Sequence, residues 1–138
     1  MKRVAYFVSV ALLAALGWAA FAPVRFESRE ETFEIPPGTW ARRMAGDAVE
    51  ILPGEIHLML DVRDVLLLRN LDEVPQVFGP TVMMPGQSFR LPFGVASTYS
   101  FECTAHASGQ MAVIVHPAPD SPWQRLRWRA ARLWRALA

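Results

Sequence analysis

The chain has 138 residues, 52% of them hydrophobic, which is enough for one domain with a real core. Its formal net charge of +1 conceals a segregation: +2 over residues 1–24, −6 over 25–120 and +5 over 121–138, which points to different surroundings for the middle and the two ends. A single cysteine excludes an intrachain disulfide, and there is no glycine-rich phosphate loop, no convincing Ser-His-Asp order and no zinc-type Cys/His pairing, so the residues do not read as an enzyme.

Residues 1–24 read as an export or anchoring segment. Lys2 and Arg3 precede Val4 to Val24, a run of 21 residues without a charge and long enough to cross a bilayer as a helix. The run exceeds the usual apolar region of a cleaved signal, and Pro23 directly follows the small-residue pattern Ala20-Phe21-Ala22. An uncleaved anchor is therefore preferred to a cleaved signal. The positive flank leaves the N-terminus in the cytoplasm and sends the rest to the extracytoplasmic, periplasmic side of the inner membrane. A lone thiol in that compartment calls for burial, a partner or a metal.

Residues 25–118 alternate short strands with proline and glycine turns. Arg25 to Glu34 is a charged lead-in, followed by a strand end and the breakers Pro36, Pro37 and Gly38. Thr39 is placed to cap a brief helix running to Met44. Strands are expected over 47–52 (DAVEIL), 55–62, 64–70, within 81–94 on either side of Pro85-Gly86, over 97–104 and over 110–117. Along 97–104, Tyr99, Phe101 and Cys103 face one way, and Thr98, Ser100 and Glu102 the other. The pattern predicts an all-β sandwich.

Residues 119–138 change character. Ser121 and Pro122 mark a helix start. At helical spacing Trp123, Leu126, Ala130, Leu133, Trp134 and Leu137 share one face, while Arg125, Arg129, Arg132 and Arg135 spread over the other. A basic amphipathic helix with tryptophan suits a membrane interface or a partner subunit, or it docks on its own acidic domain. Nucleic acid is not an expected partner of an exported chain.

The chemistry concentrates in FECTAHASGQM, residues 101–111. Cys103, His106 and Met111 bring a thiolate, an imidazole and a thioether into one loop, a donor set that suits copper. From about Ile51 to Val115 the chain resembles the cupredoxins, the blue-copper proteins typified by plastocyanin and azurin. The resemblance rests on C-x-x-H-x-x-x-x-M at Cys103, His106 and Met111, on TYSFECTAH, on VMMPGQSFRLPF and on NLDEVPQVFGP. It implies a Greek-key β-sandwich with one copper ion held by Cys103, His106 and Met111. It also exposes a departure: where the family carries its other histidine ligand after N-x-D, this chain has Gln76, at best a weak fourth ligand. His57 and His116 are read as surface or strand-end residues, and Met83 and Met84 as packing.

Three functions follow as expectations. The first is a membrane-anchored cupredoxin-like protein with a modified mononuclear copper site that passes single electrons between membrane complexes and soluble carriers. The second is a metal-free structural subunit of a larger membrane protein complex. The third is Cu(I) delivery or storage.

Overall fold

The computed structural model describes residues 2–24 and 28–137. The first three residues of the expected charged lead-in, Arg25, Phe26 and Glu27, lie outside them. In chain order the elements are α1 (Lys2–Phe21), β1 (Glu30–Ile35), α2 (Thr39–Met44), β2 (Glu55–Met59), β3 (Val65–Asn70), β4 (Gln76–Phe78), β5 (Thr81–Met83), β6 (Ser88–Pro92), β7 (Thr98–Glu102), β8 (Gln110–His116) and α3 (Pro122–Leu137). They fall into two compact units, one of residues 28–118 and one built from both chain ends.

The first unit is a β-sandwich. One sheet has the order β1-β3-β6, with β1 parallel and β6 antiparallel to β3; the other has the order β2-β8-β7, with β2 parallel and β7 antiparallel to β8. The β4–β5 hairpin joins the second sheet through a bridge between Phe78 and Cys103. Parallel neighbours cannot be joined by a hairpin, so the chain crosses repeatedly between the sheets. β3 is buried along most of its length, which explains its unbroken Val-Leu-Leu-Leu run. β8 alternates strictly, turning Met111, Val113 and Val115 inward. These residues make one core with Ile35, with Ile56 and Leu58 of β2, and with Leu66, Leu68, Phe78, Met83 and Cys103.

Three expectations are corrected. Residues 47–52 form no strand. The Asp47 carboxylate accepts from the amide of Val49 (2.9 Å) and Arg43 donates to the Asp47 carbonyl (3.0 Å), which holds the segment in a local turn instead. Thr39 does not cap α2: its hydroxyl donates to the carbonyl of Pro36 (2.7 Å), and the N-cap is Gly38 in the left-handed region (φ 78°). The capping acceptor comes from far along the chain, because the Asp72 carboxylate takes the amides of Gly38 and Trp40, both at 2.9 Å. Finally, among the described residues the sandwich includes a strand, β4, that was not expected, while the three helices that were expected, α1, α2 and α3, give the chain a mixed helical and strand content.

The second unit pairs α1 with α3. Along Arg3–Phe21, α1 is long and apolar enough to cross a membrane, and none of that stretch is buried by protein. This suits either a signal sequence or a membrane anchor. α3 does not dock through its apolar stripe: Trp123, Leu133, Trp134 and Leu137 stay exposed. It uses arginines. Arg129 donates to the carbonyls of Ala19, Ala22 (2.8 Å) and Pro23 (3.3 Å) and lies 5.2 Å from the centre of the Trp18 ring. Arg125 reaches the Phe21 carbonyl at 3.4 Å. The last turn of α1 leaves carbonyls without intrahelical partners, and a guanidinium fork is well shaped to satisfy several at once.

Candidate metal centre

β7 delivers Cys103 to the end of the second sheet, and β8 begins with Met111 one residue inside. The connecting loop closes in two tight steps: His106 N–H donates to the Cys103 carbonyl (3.2 Å), and Gly109 N–H to the His106 carbonyl (3.1 Å). The Cys103 amide then returns to the Gly109 carbonyl (2.9 Å), and Gly109 takes the left-handed φ of 74° that this closure requires. Phe101 is registered with Met111, so Cys103 and Met111 both turn into the core from adjoining strands. α2 clamps the loop from outside, with Arg43 donating to the Ala105 carbonyl through Nη2 at 3.0 Å.

The imidazole of His106 is buried. Its Nδ1 lies 2.8 Å from the Ser108 hydroxyl and 3.3 Å from the Ser108 amide. Its Nε2 faces Gly54 and stands 2.5 Å from a carboxylate oxygen of Glu50, close enough for an ion pair but not aligned as a hydrogen bond. Burial pushes the Cys103 thiol above its usual value, and the amides of Ala105 and His106 and the charge of Arg43 offset this only in part.

Gln76, fully buried on β4, comes beside the loop because β4 runs antiparallel to residues 103 and 104: Thr104 N–H donates to the Val77 carbonyl at 3.1 Å. Both ends of its amide have partners. Nε2 donates to the Asp72 carboxylate (2.9 Å), and Oε1 accepts from the Thr104 hydroxyl (2.6 Å), which itself accepts from the Val77 amide (2.9 Å). Asp72 is the hub of this network. Besides Gln76, Gly38 and Trp40 it receives the amide of Glu73. Burial raises its carboxyl, but these donors outweigh it and hold Asp72 below the ordinary carboxylate range. Asn70 braces the hub: its amide donates to the carbonyls of Val74 and Met83, and its oxygen accepts from the Asp72 amide. The N-x-D motif is thus a hydrogen-bonded knot.

Of the four expected donors, the structure brings Cys103 and Met111 onto one inner face. His106 and Gln76 lie beside them with their polar atoms turned to other groups. Among the described residues, no three or more His, Cys, Asp or Glu side chains gather as a metal-holding cluster. His57 and His116 meet on the outer face of the β2–β8 pair, and His116 ends β8, at the opposite end from Met111. Sequence reasoning missed Asp72, Thr104 and Arg43 as partners of this region; the N-x-D motif was the one visible signal for the first of them.

No protein-family model matches the chain, and no curated protein does. Solved structures do resemble it. A purple cupredoxin from Nitrosopumilus maritimus is 18% identical, with 61% of this chain and 97% of that one covered at a TM-score of 0.46. A methionine-to-alanine mutant of amicyanin in its Cu(I) form is 17% identical, with 71% and 89% covered at 0.45. A proline-to-alanine mutant of amicyanin in its oxidised state is 18% identical over the same shares, also at 0.45. Identities and scores this low say nothing about a metal. What carries the assignment is the sheet order, with its two parallel pairs, and the C-x-x-H-x-x-x-x-M spacing between β7 and β8. The fold is cupredoxin-like. Within that cupredoxin-like frame the Cys103–Met111 loop connects β7 to β8 and runs beside β4, which carries Gln76.

Proposed function

We propose that this chain is a membrane-tethered, cupredoxin-like accessory domain of a larger membrane assembly, and that its ligand loop is kept for structure rather than for a blue-copper centre. One observation carries the reading: Gln76, where the resemblance implies imidazole, has both ends of its amide satisfied by Asp72 and Thr104. Turning it toward a metal would leave a buried carboxylate short of a donor and a buried hydroxyl short of an acceptor, at about 1–3 kcal/mol for each group. An amide is also a poor equatorial donor for Cu(II) beside a thiolate. The bonds from Arg129 to the end of α1 support retention of α1 as an anchor, and the positive flank of Lys2 and Arg3 supports the sandwich lying on the periplasmic side of the inner membrane.

A second reading has its own support. Cys103 and Met111 share an inner face, and His106 is buried beside them with an Nε2 that makes no hydrogen bond and has only the Glu50 carboxylate, 2.5 Å away, to displace. Those three side chains would hold one copper ion, as an electron carrier between membrane complexes or as a Cu(I) delivery site. The deciding experiment isolates the protein from its native membrane in mild detergent, then measures its size and copper content. The accessory reading expects migration within a larger complex, without stoichiometric copper and without an intense thiolate-to-copper band when Cu(II) is added. A chain that runs alone with one copper ion overturns it in favour of the second.

A further inference from the structure

Two of the three histidines in the chain, 59 positions apart, meet on the solvent side of the β2–β8 pair. Parallel pairing sets Met59 beside His116, so His57 on the same outward face lies diagonally opposite. His57 Nδ1 is 3.0 Å from His116 Nε2. The rings are within 11° of parallel, with centres 5.3 Å apart. They therefore meet edge to edge, nitrogen toward nitrogen. On the other side of His57, a carboxylate oxygen of Glu55 stands 3.7 Å from Nε2.

This row of carboxylate, imidazole and imidazole has a chemical direction. Glu55 favours the proton on His57 Nε2, which leaves Nδ1 as a lone pair facing His116. At 3.7 Å Glu55 makes no hydrogen bond to Nε2, but its charge stands on the side of His57 away from His116, where carboxylates commonly sit behind metal-bound imidazoles. We propose that His57 and His116 form a bidentate site for a borderline divalent transition ion, Zn(II) or Cu(II), with Glu55 orienting His57. Two nitrogens about 2.0–2.1 Å from a common ion lie roughly 3.0–3.4 Å apart, so the present 3.0 Å separation needs little change. Each ring has only to tilt outward until the lone pairs converge, and the His57 side chain, 56% exposed, has room to do so. Water completes the coordination. Hard cations, which prefer oxygen donors, are excluded by the imidazole pair. The site lies on a different face from the inward-facing Cys103 and Met111 and does not depend on whether that loop binds anything.

The test titrates the full chain in detergent with Zn(II) against a chromophoric chelator, and with Cu(II) followed by electron paramagnetic resonance. One ion per chain is expected, with nitrogen hyperfine structure in the copper spectrum. His57→Ala and His116→Ala should each weaken binding at least about tenfold, and Glu55→Gln about tenfold or more through lost orientation of His57. Cys103→Ser should leave it unchanged. Circular dichroism checks that the variants keep the fold. Failure to take up either ion, uptake that survives both histidine substitutions, or uptake that disappears with Cys103→Ser overturns the proposal.

Discussion

Replacing Gln76 with leucine removes the amide and keeps roughly the same volume, so it isolates the hydrogen-bond network from the packing of the core. Two bonds are lost. The bond to Asp72 goes to a charged acceptor, a kind worth about 1.5–3 kcal/mol, and the Thr104 hydroxyl loses its acceptor at a cost of about 1 kcal/mol or more. Burying leucine methyls returns part of this, on the order of 1 kcal/mol. The net expectation is a loss of about 1.5–3 kcal/mol, or roughly 6–24 °C in midpoint for a unit of this size. The assay is urea and thermal unfolding of the full chain in detergent, followed by the circular dichroism of the sheets. Thr104→Val and the double variant complete a cycle, in which the pair should show a coupling energy of about 1–2 kcal/mol. A loss below about 0.5 kcal/mol, the size of an ordinary surface substitution, would refute the network as the reason glutamine stands at this position. So would strict additivity of the two substitutions.

Four further outcomes follow from the same structure. Gln76→His should cost less than the leucine variant, because imidazole can still donate to Asp72; an intense visible band on adding Cu(II) would show that the loop accepts a blue-copper ion once the ligand is restored. Asp72 and Asp64 are both held below the ordinary carboxylate range; burial raises Asp64, but the hydrogen bonds from Arg29 and the Asp61 amide outweigh it. Depressed carboxyls contribute stability above their unfolded value of about 3.9 and lose it as pH falls through their folded values, so unfolding free energy should be level above about pH 5 and drop in acid. Asp72→Asn should flatten part of that drop, as acid titration of the two proteins will show. Arg129→Ala should release α3 from α1 and expose the tail to protease in detergent, and Arg129→Lys should not restore protection because it lacks the fork; an unchanged digestion pattern would contradict the docking described. Cys103, almost fully buried, should react with a thiol reagent far more slowly in the native state than in urea; equal rates would place it at the surface.

Much of this architecture was legible in the sequence, and what escaped has a common cause. Strands β2, β3, β7 and β8 show in their apolar runs and alternation, α2 in its flanking Pro-Pro-Gly and Gly46, and the Cys103–Met111 loop in its spacing. β4 is three residues long, too short to carry a period, and exists because it pairs with β5 on one side and bonds to Cys103 and Thr104 on the other. Residues 47–52 look like a strand until the side chain of Asp47 competes for the backbone. The capping of α2 by Asp72, the clamp of Arg43 on Ala105, the grip of Arg129 on α1 and the meeting of His57 with His116 all join residues more than 30 positions apart. Such pairs depend on register and crossover, which local pattern does not encode. Gln76 is the instructive case: its departure from the resemblance was visible at once, but its partners were not.

α2 is six residues long, too short to persist as a helix without help, and it is fastened at both ends. Asp72 holds its first amides, and Arg43 near its last turn holds the Ala105 carbonyl. The Asp72 end also holds Gln76, and the Arg43 end holds the loop of Cys103 and His106. The helix is therefore a crossbar between the two loops: neither can swing away while it stays wound. In hydrogen exchange the amides of Gly38, Trp40, Val77 and Thr104 should open together, as one small cooperative unit, although they come from three separate stretches of the chain.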